Sequence, residues 1–140
     1  MTYEVRPAIA PELSVRRGRE AVEFYKAAFG ARELYRVGGG DAREAVVSLL
    51  AVGEATFWVA DESPAHGNHS PESLGGATTR MLLVVDDPEA AVRTAEAAGA
   101  RVITPVHPEH GWRLGRLADP FGHHWEVGRP LGPWPPSGHA

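Results

Sequence analysis

The chain contains two copies of one pattern. Residues 20–32 read EAVEFYKAAFGAR and residues 90–101 read AAVRTAEAAGAR. Ala21, Val22, Ala27 and Ala28 match Ala91, Val92, Ala97 and Ala98 at an offset of 70. Gly30, Ala31 and Arg32 then match Gly99, Ala100 and Arg101 at an offset of 69. Upstream, Leu13 and Val15 match Leu83 and Val85. A match that keeps register through a strand, a helix and the helix stop signal marks a duplicated module, and a period near 70 is too long for a solenoid repeat. With 140 residues, the chain has room for two such modules and little else.

Each copy has the same order of signals. Ala10 to Val15 and Arg80 to Val85 alternate as strands do. An Ala-rich stretch follows, with Ala21, Phe24, Tyr25 and Ala28 at helical spacing in the first copy. Asp87 before Pro88 supplies an N-cap and a proline at the first helical position. Gly30 and Gly99 stand where a helix stops in a left-handed turn. Three strands are then expected in each copy, over about 32–37, 44–51 and 55–61 and over about 101–106, 112–118 and 123–128. Asp119-Pro120-Phe121-Gly122, with Asp, Pro and Gly at their preferred places, reads as a type I turn. The fold class is therefore α+β: two tandem βαβββ modules forming a curved mixed sheet around a cleft, with helices on the outer face. The modules divide at 1–76 and 77–131, followed by a Pro-rich tail, 132–140. Segment 62–77, rich in Ser, Pro, His and Gly, reads as a linker or a loop over a site. From Gly128 onward the prolines Pro130, Pro133, Pro135 and Pro136 predict irregular backbone.

Composition removes several functions. With no cysteine, disulfides, thiolate metal sites and a cysteine nucleophile are excluded. A net charge of −4 argues against nucleic-acid or anionic-membrane partners. No apolar run approaches the roughly 20 residues that cross a bilayer. Met1 opens no signal peptide, so a cytoplasmic address is expected. Walker, GxGxxG, GxSxG and HExxH motifs are absent.

Two βαβββ modules in a short chain resemble the vicinal oxygen chelate superfamily of glyoxalase I, extradiol dioxygenases and bleomycin-resistance proteins. The strings Pro11-x-Leu13-x-Val15, AVEFYKAAFGA and WRLGRLADPFGHHWEV are similar to its PhnB-like branch, and the resemblance spans about residues 7–131. It implies fold more strongly than activity, because one fold carries many chemistries. In metal-using members it implies four ligands from equivalent strand positions. Here those positions fall at Ala10 and Arg80 on the first strands and at Phe57 and Glu126 on the last, with Trp58 the alternative to Phe57. Glu126 alone is a donor, and one carboxylate does not hold a divalent cation that wants three or four protein ligands. No metal, cofactor or catalytic residue is therefore assigned.

Strand alternation places Ala10, Glu12, Arg80, Leu82, Val84, His124 and Glu126 toward the cleft, with Leu13, Val15, Leu83 and Val85 toward the helices. Pairing across the Asp119–Gly122 turn adds Arg113, Gly115 and Leu117 to the cleft side. The candidate ligand-binding residues are Phe57, Arg80, Trp112, Arg113, His124 and Glu126. Arg80 and Glu126 read either as an ion pair holding two strands in register or as direct ligand contacts. Either way, they are expected within hydrogen-bond reach or in one pocket. His124 has the chemistry of a general base near neutral pH. The spacings His66-x-x-His69 and His107-x-x-His110 fall in expected loops and read as solvated histidines. Trp58 and Trp125 read as core, whereas Trp112 and Trp134 are placed to cover a ligand.

The first-ranked expectation is a homodimer that binds a small aromatic or antibiotic-like molecule without catalysis. The alternatives are a metal-dependent lyase, isomerase or dioxygenase of the glyoxalase kind, and a ligand-free structural dimer.

Overall fold

A computed structural model describes residues 2–41 and 43–137. The first module runs β1 (Glu12–Val15), α1 (Gly18–Phe29), β2 (Arg32–Gly38), β3 (Val46–Val52) and β4 (Ala55–Asp61). The second runs β5 (Arg80–Val84), α3 (Pro88–Ala98), β6 (Arg101–Glu109), β7 (Trp112–Ala118) and β8 (His124–Pro130). Each forms one four-stranded mixed sheet, ordered β1-β4-β3-β2 and β5-β8-β7-β6. In each the first strand pairs parallel to the last. No described helix is long and apolar enough to cross a membrane.

Local chemistry sets the helix ends. Asp61, at the end of β4, accepts from the amide of Gly18 at 2.8 Å and from that of Val46 at 2.7 Å, so one carboxylate joins the start of α1 to the start of β3. A side chain at Gly18 would put its Cβ 2.3 Å from Val46, which makes this glycine obligatory. Asp87 caps α3 through the Ala90 amide at 3.1 Å, and Pro88 opens the helix. Gly30 ends α1 at φ +68°, in the left-handed basin. Gly99 ends α3 at φ +125°, outside that basin but still beyond the reach of an ordinary side chain.

Each helix covers one face of its own sheet, and α1 also packs against α3, so both modules share one core. Tyr25 lies between Phe57 of β4 and Trp125 of β8, with ring centroids 5.4 and 5.5 Å away. Phe24 meets Phe121, and Phe29 meets Trp125. Beneath them the buried carboxylate of Asp119 accepts from the Tyr25 hydroxyl, from Trp125 Nε1 at 3.0 Å, and from the amides of Phe121 and His123 at 2.9 and 3.0 Å. Four donors satisfy a charge that would otherwise be costly to bury. Burial first, and the Asp119 carboxylate second, push the Tyr25 hydroxyl well above its ordinary pKa.

Three expectations are corrected. Segment 62–77 is no free linker: it contains a 3-10 turn, Pro64–His66, and a one-turn helix, α2 (Pro71–Leu74). Glu62 pins it by accepting from the Ser70 amide at 2.8 Å and the Ser73 hydroxyl at 2.9 Å. Regular backbone also persists past Gly128. Gly128, Arg129 and Pro130 pair with Leu114, Arg113 and Trp112, and proline is tolerated at this strand end. Finally, His107 stands within β6 and only His110, at φ +49°, occupies the turn. Both rings lie near Glu109, at 3.4 and 3.7 Å.

Candidate functional site

With their helix-side faces committed to the core, both sheets leave the opposite face open. Register decides what stands there. The β7–β8 hairpin has a three-residue loop: the Gly122 amide donates to Asp119 O, giving the type I turn, and the Asp119 amide donates to His123 O. Gly122, at φ +91°, completes it as the positive-φ residue such loops require. Glu126 therefore pairs with Arg116, and His124 with Ala118. The equivalent β3–β4 hairpin has a two-residue turn, with Val52 opposite Ala55. Glu12 pairs with Trp58 on β4 as its equivalent Leu82 pairs with Glu126 on β8, so the position matching Glu126 is Trp58.

Four of the six candidates share the open face of the second sheet: Arg80, Trp112, His124 and Glu126. Arg80 Nε donates to Glu126 Oε1 at 2.9 Å, the contact expected from the repeat. Arg116 Nη2 lies 3.9 Å from the other carboxylate oxygen. Thr104, His107, Leu114, Arg116 and Glu126 line a concavity of about 160 Å³. Trp112 stands on the same face and meets Trp134 edge-on at 5.4 Å.

Phe57 and Arg113 are not on this face. Phe57 is 6% exposed and packed on Tyr25 and Trp125, so it is a core residue; its neighbour Trp58 points to the open side. Arg113 pairs with Arg129 and bonds Glu89 of α3, holding that carboxyl below its usual range. Gly115 and Leu117 are likewise buried on the helix side. The cause is the hairpin: counting it as a two-residue turn displaces β7 by one residue, and a one-residue slip exchanges the two faces of a strand. Arg116 and Leu114 were missed for the same reason. The signal for them was Gly122 following a complete Asp-Pro-x turn, which favours the longer loop.

The open face of the first sheet differs in kind. Glu12, Trp58, Leu49 and Tyr35 align across its four strands, and the Tyr35 and Trp58 rings meet at 6.4 Å. Tyr35, Val37 and Val47 are exposed. Two further concavities hold none of the six candidates. One, of about 340 Å³, lies between the modules and is lined by Glu12, Ser14, His69, Leu74, Thr79 and His123, among others. His123 Nε2 there donates to Ser14 O at 2.9 Å. The other, of about 670 Å³, lies at the start of α1 among Arg17, Glu20, Arg36 and Asp61. Of its charged groups, Arg17 pairs with Glu20, and Asp61 accepts from two backbone amides.

Residues 9–127 match the family model described as the Glyoxalase/Bleomycin resistance protein/Dioxygenase superfamily, and the chain belongs to that superfamily. Among relatives, Rv0887c of Mycobacterium tuberculosis is 38% identical over 135 residues, which cover 94% of this chain and 79% of that one. The crystal structure of the Arabidopsis thaliana At5g48480 gene product is 31% identical, with a TM-score of 0.65, covering 89% of this chain and 98% of that one. TioX from Micromonospora sp. ML1 superposes with a TM-score of 0.67 at 25% identity, covering 90% of this chain and 100% of that one. FosX, a fosfomycin resistance protein from Listeria monocytogenes crystallised with Mn(II) and sulfate, shares the fold at 14% identity and a TM-score of 0.66, covering 94% of this chain and 96% of that one.

The metal chemistry available to this superfamily does not fit the residues here. The four equivalent positions carry Ala10, Trp58, Arg80 and Glu126, and the single carboxylate among them already holds a guanidinium. Among the described residues, no group of three or more His, Asp or Glu is arranged to hold a metal ion.

Proposed function

We propose that this chain is a small-molecule-binding protein of the glyoxalase/bleomycin-resistance type, which sequesters an aromatic, antibiotic-like ligand without a metal. The observation that carries this reading is the replacement of a ligand set by Ala10, Trp58 and an Arg80–Glu126 ion pair on open sheet faces. An aromatic surface at Tyr35 and Trp58 and a cationic one at Arg80 and Arg116 suit a planar, partly anionic molecule.

A homodimer belongs to the same proposal. One chain uses the helix-side faces of both sheets to build its core and leaves both open faces uncovered. A second copy, laying its first open face toward the second open face of its partner, would enclose a ligand between them. A cytoplasmic location belongs to the same proposal, and the net charge of −4 argues against nucleic acid or an anionic membrane as partner.

The test combines three measurements on the full chain: calorimetric titration with bleomycin and a panel of planar aromatic compounds, elemental analysis, and sedimentation. Saturable binding by a dimer free of transition metal is the expected result. Stoichiometric, tightly held Fe, Mn, Ni or Zn without aromatic binding would replace this reading with the metal-dependent enzyme. A monomer at all concentrations would remove the dimer.

A further inference from the structure

We infer that Arg116 is an anion-recognising residue, and that the open face of the second sheet takes the carboxylate of a planar aromatic acid. This deepens the binding reading above and rests on it. Two guanidinia flank Glu126, but they are not equivalent. Arg80 Nε is bonded to the carboxylate at 2.9 Å, whereas Arg116 Nη2 stands 3.9 Å away, beyond hydrogen-bond reach. Arg80 thus holds Glu126 by a hydrogen bond, while Arg116 meets the same carboxylate only at ion-pair distance. Among the described residues the guanidinium of Arg116 donates no hydrogen bond, although such a group presents five donors in a planar fork. Its side chain is only 36% exposed, held at the wall of the concavity that Thr104 and His107 also line. A partly desolvated fork with unused donors, beside a hydroxyl and an imidazole, matches a bidentate carboxylate.

Size and charge narrow the ligand. At about 160 Å³ the concavity takes an acidic head group rather than a whole drug-sized molecule. The rest of the ligand would then extend along Leu114 toward the Trp112–Trp134 pair, which shares the face. A dianionic phosphate fits poorly, because Glu109 and Glu126 both border the cavity and Arg116 is the one guanidinium that lines it.

The experiment compares 2-naphthoate, its neutral isostere 2-naphthamide and 2-naphthyl phosphate by titration calorimetry on the full chain. Naphthoate is expected to bind roughly tenfold or more tighter than naphthamide. Arg116→Gln should abolish that preference, and Arg116→Lys should restore part of it. Arg80→Gln should weaken naphthoate as well, by leaving Glu126 uncompensated beside the ligand. Equal binding of naphthoate and naphthamide by the unmodified protein would overturn this inference and leave the aromatic-binding reading standing. Tighter binding of the phosphate would overturn the choice of a carboxylate. If neither naphthoate nor naphthamide binds at millimolar concentration, the aromatic-binding reading falls first and this inference with it.

Discussion

The two open faces are built on the same frame and carry opposite chemistry. Across the first sheet the central row reads Glu12, Trp58, Leu49, Tyr35; across the second the equivalent row reads Leu82, Glu126, Arg116, Thr104. Apolar rings and branches on one side stand against an ion-paired cluster on the other. Behind these rows the hidden faces are alike: Leu13 and Val59 in the first module occupy the places of Leu83 and Val127 in the second. The shared core constrains the hidden faces, because a buried side chain there must fit both its own helix and the neighbouring module. Folding places no such demand on the open faces. Duplication thus supplied one scaffold with two surfaces free to specialise.

The comparison breaks most readily at β4, where neighbouring aromatics lie on opposite faces. Phe57→Ala should cost about 3–5 kcal/mol in urea unfolding, because it empties the aromatic cluster at Tyr25 and Trp125. Trp58→Ala should cost no more than about 1 kcal/mol. Equal losses would mean that the faces are assigned wrongly. Tyr25→Phe probes the joint between the hidden faces. It removes one of four donors from Asp119 and should destabilise by about 1–3 kcal/mol.

The same tyrosine predicts an alkaline limit. Its folded pKa is raised, so its contribution is fully present below the ordinary value near 10.0 and is lost as pH rises above it. Unfolding monitored through pH 10–11 should show this decline in the unmodified protein and less of it in Tyr25→Phe.

A third, smaller effect distinguishes the hidden faces from each other. In the first module, Glu33 accepts from Ser48 at 2.6 Å and from Arg36 at 2.7 Å. Partial burial raises its carboxyl, but these bonds outweigh it and hold the pKa below the ordinary 4.5. The stabilisation is present above pH 4.5 and lost as pH falls through the folded value. Glu33→Gln should lower stability at neutral pH by on the order of 1 kcal/mol and flatten the acid limb. Arg113→Ala, at the rim of the hidden face of the second sheet, should give the smallest change. Both partners, Arg113 and Glu89, keep more than a third of their side chains in solvent, and thermal unfolding should barely move.

Much of this architecture was legible in the amino-acid order. The repeat, the Asp87-Pro88 start and the Gly30 and Gly99 stops determined two βαβββ modules, because caps and periodicity are local and each residue reports on its own neighbours. Alternation on β5 and β8 was enough to bring Arg80 to Glu126, since both strands continue without interruption. The faces of β7 and the identity of the residue matching Glu126 were decided by tertiary structure. On β7 one extra loop residue, stabilised by the bonds of Asp119 to the amides of Phe121 and His123, shifted the pairing by one residue, put Arg116 opposite Glu126 in place of Gly115 and turned Arg113 to the helix side. Asp119 adopts that geometry within a core that includes Tyr25, 94 residues away. Strand identity follows from short-range pattern. Strand register follows from contacts between distant residues, which no local pattern records.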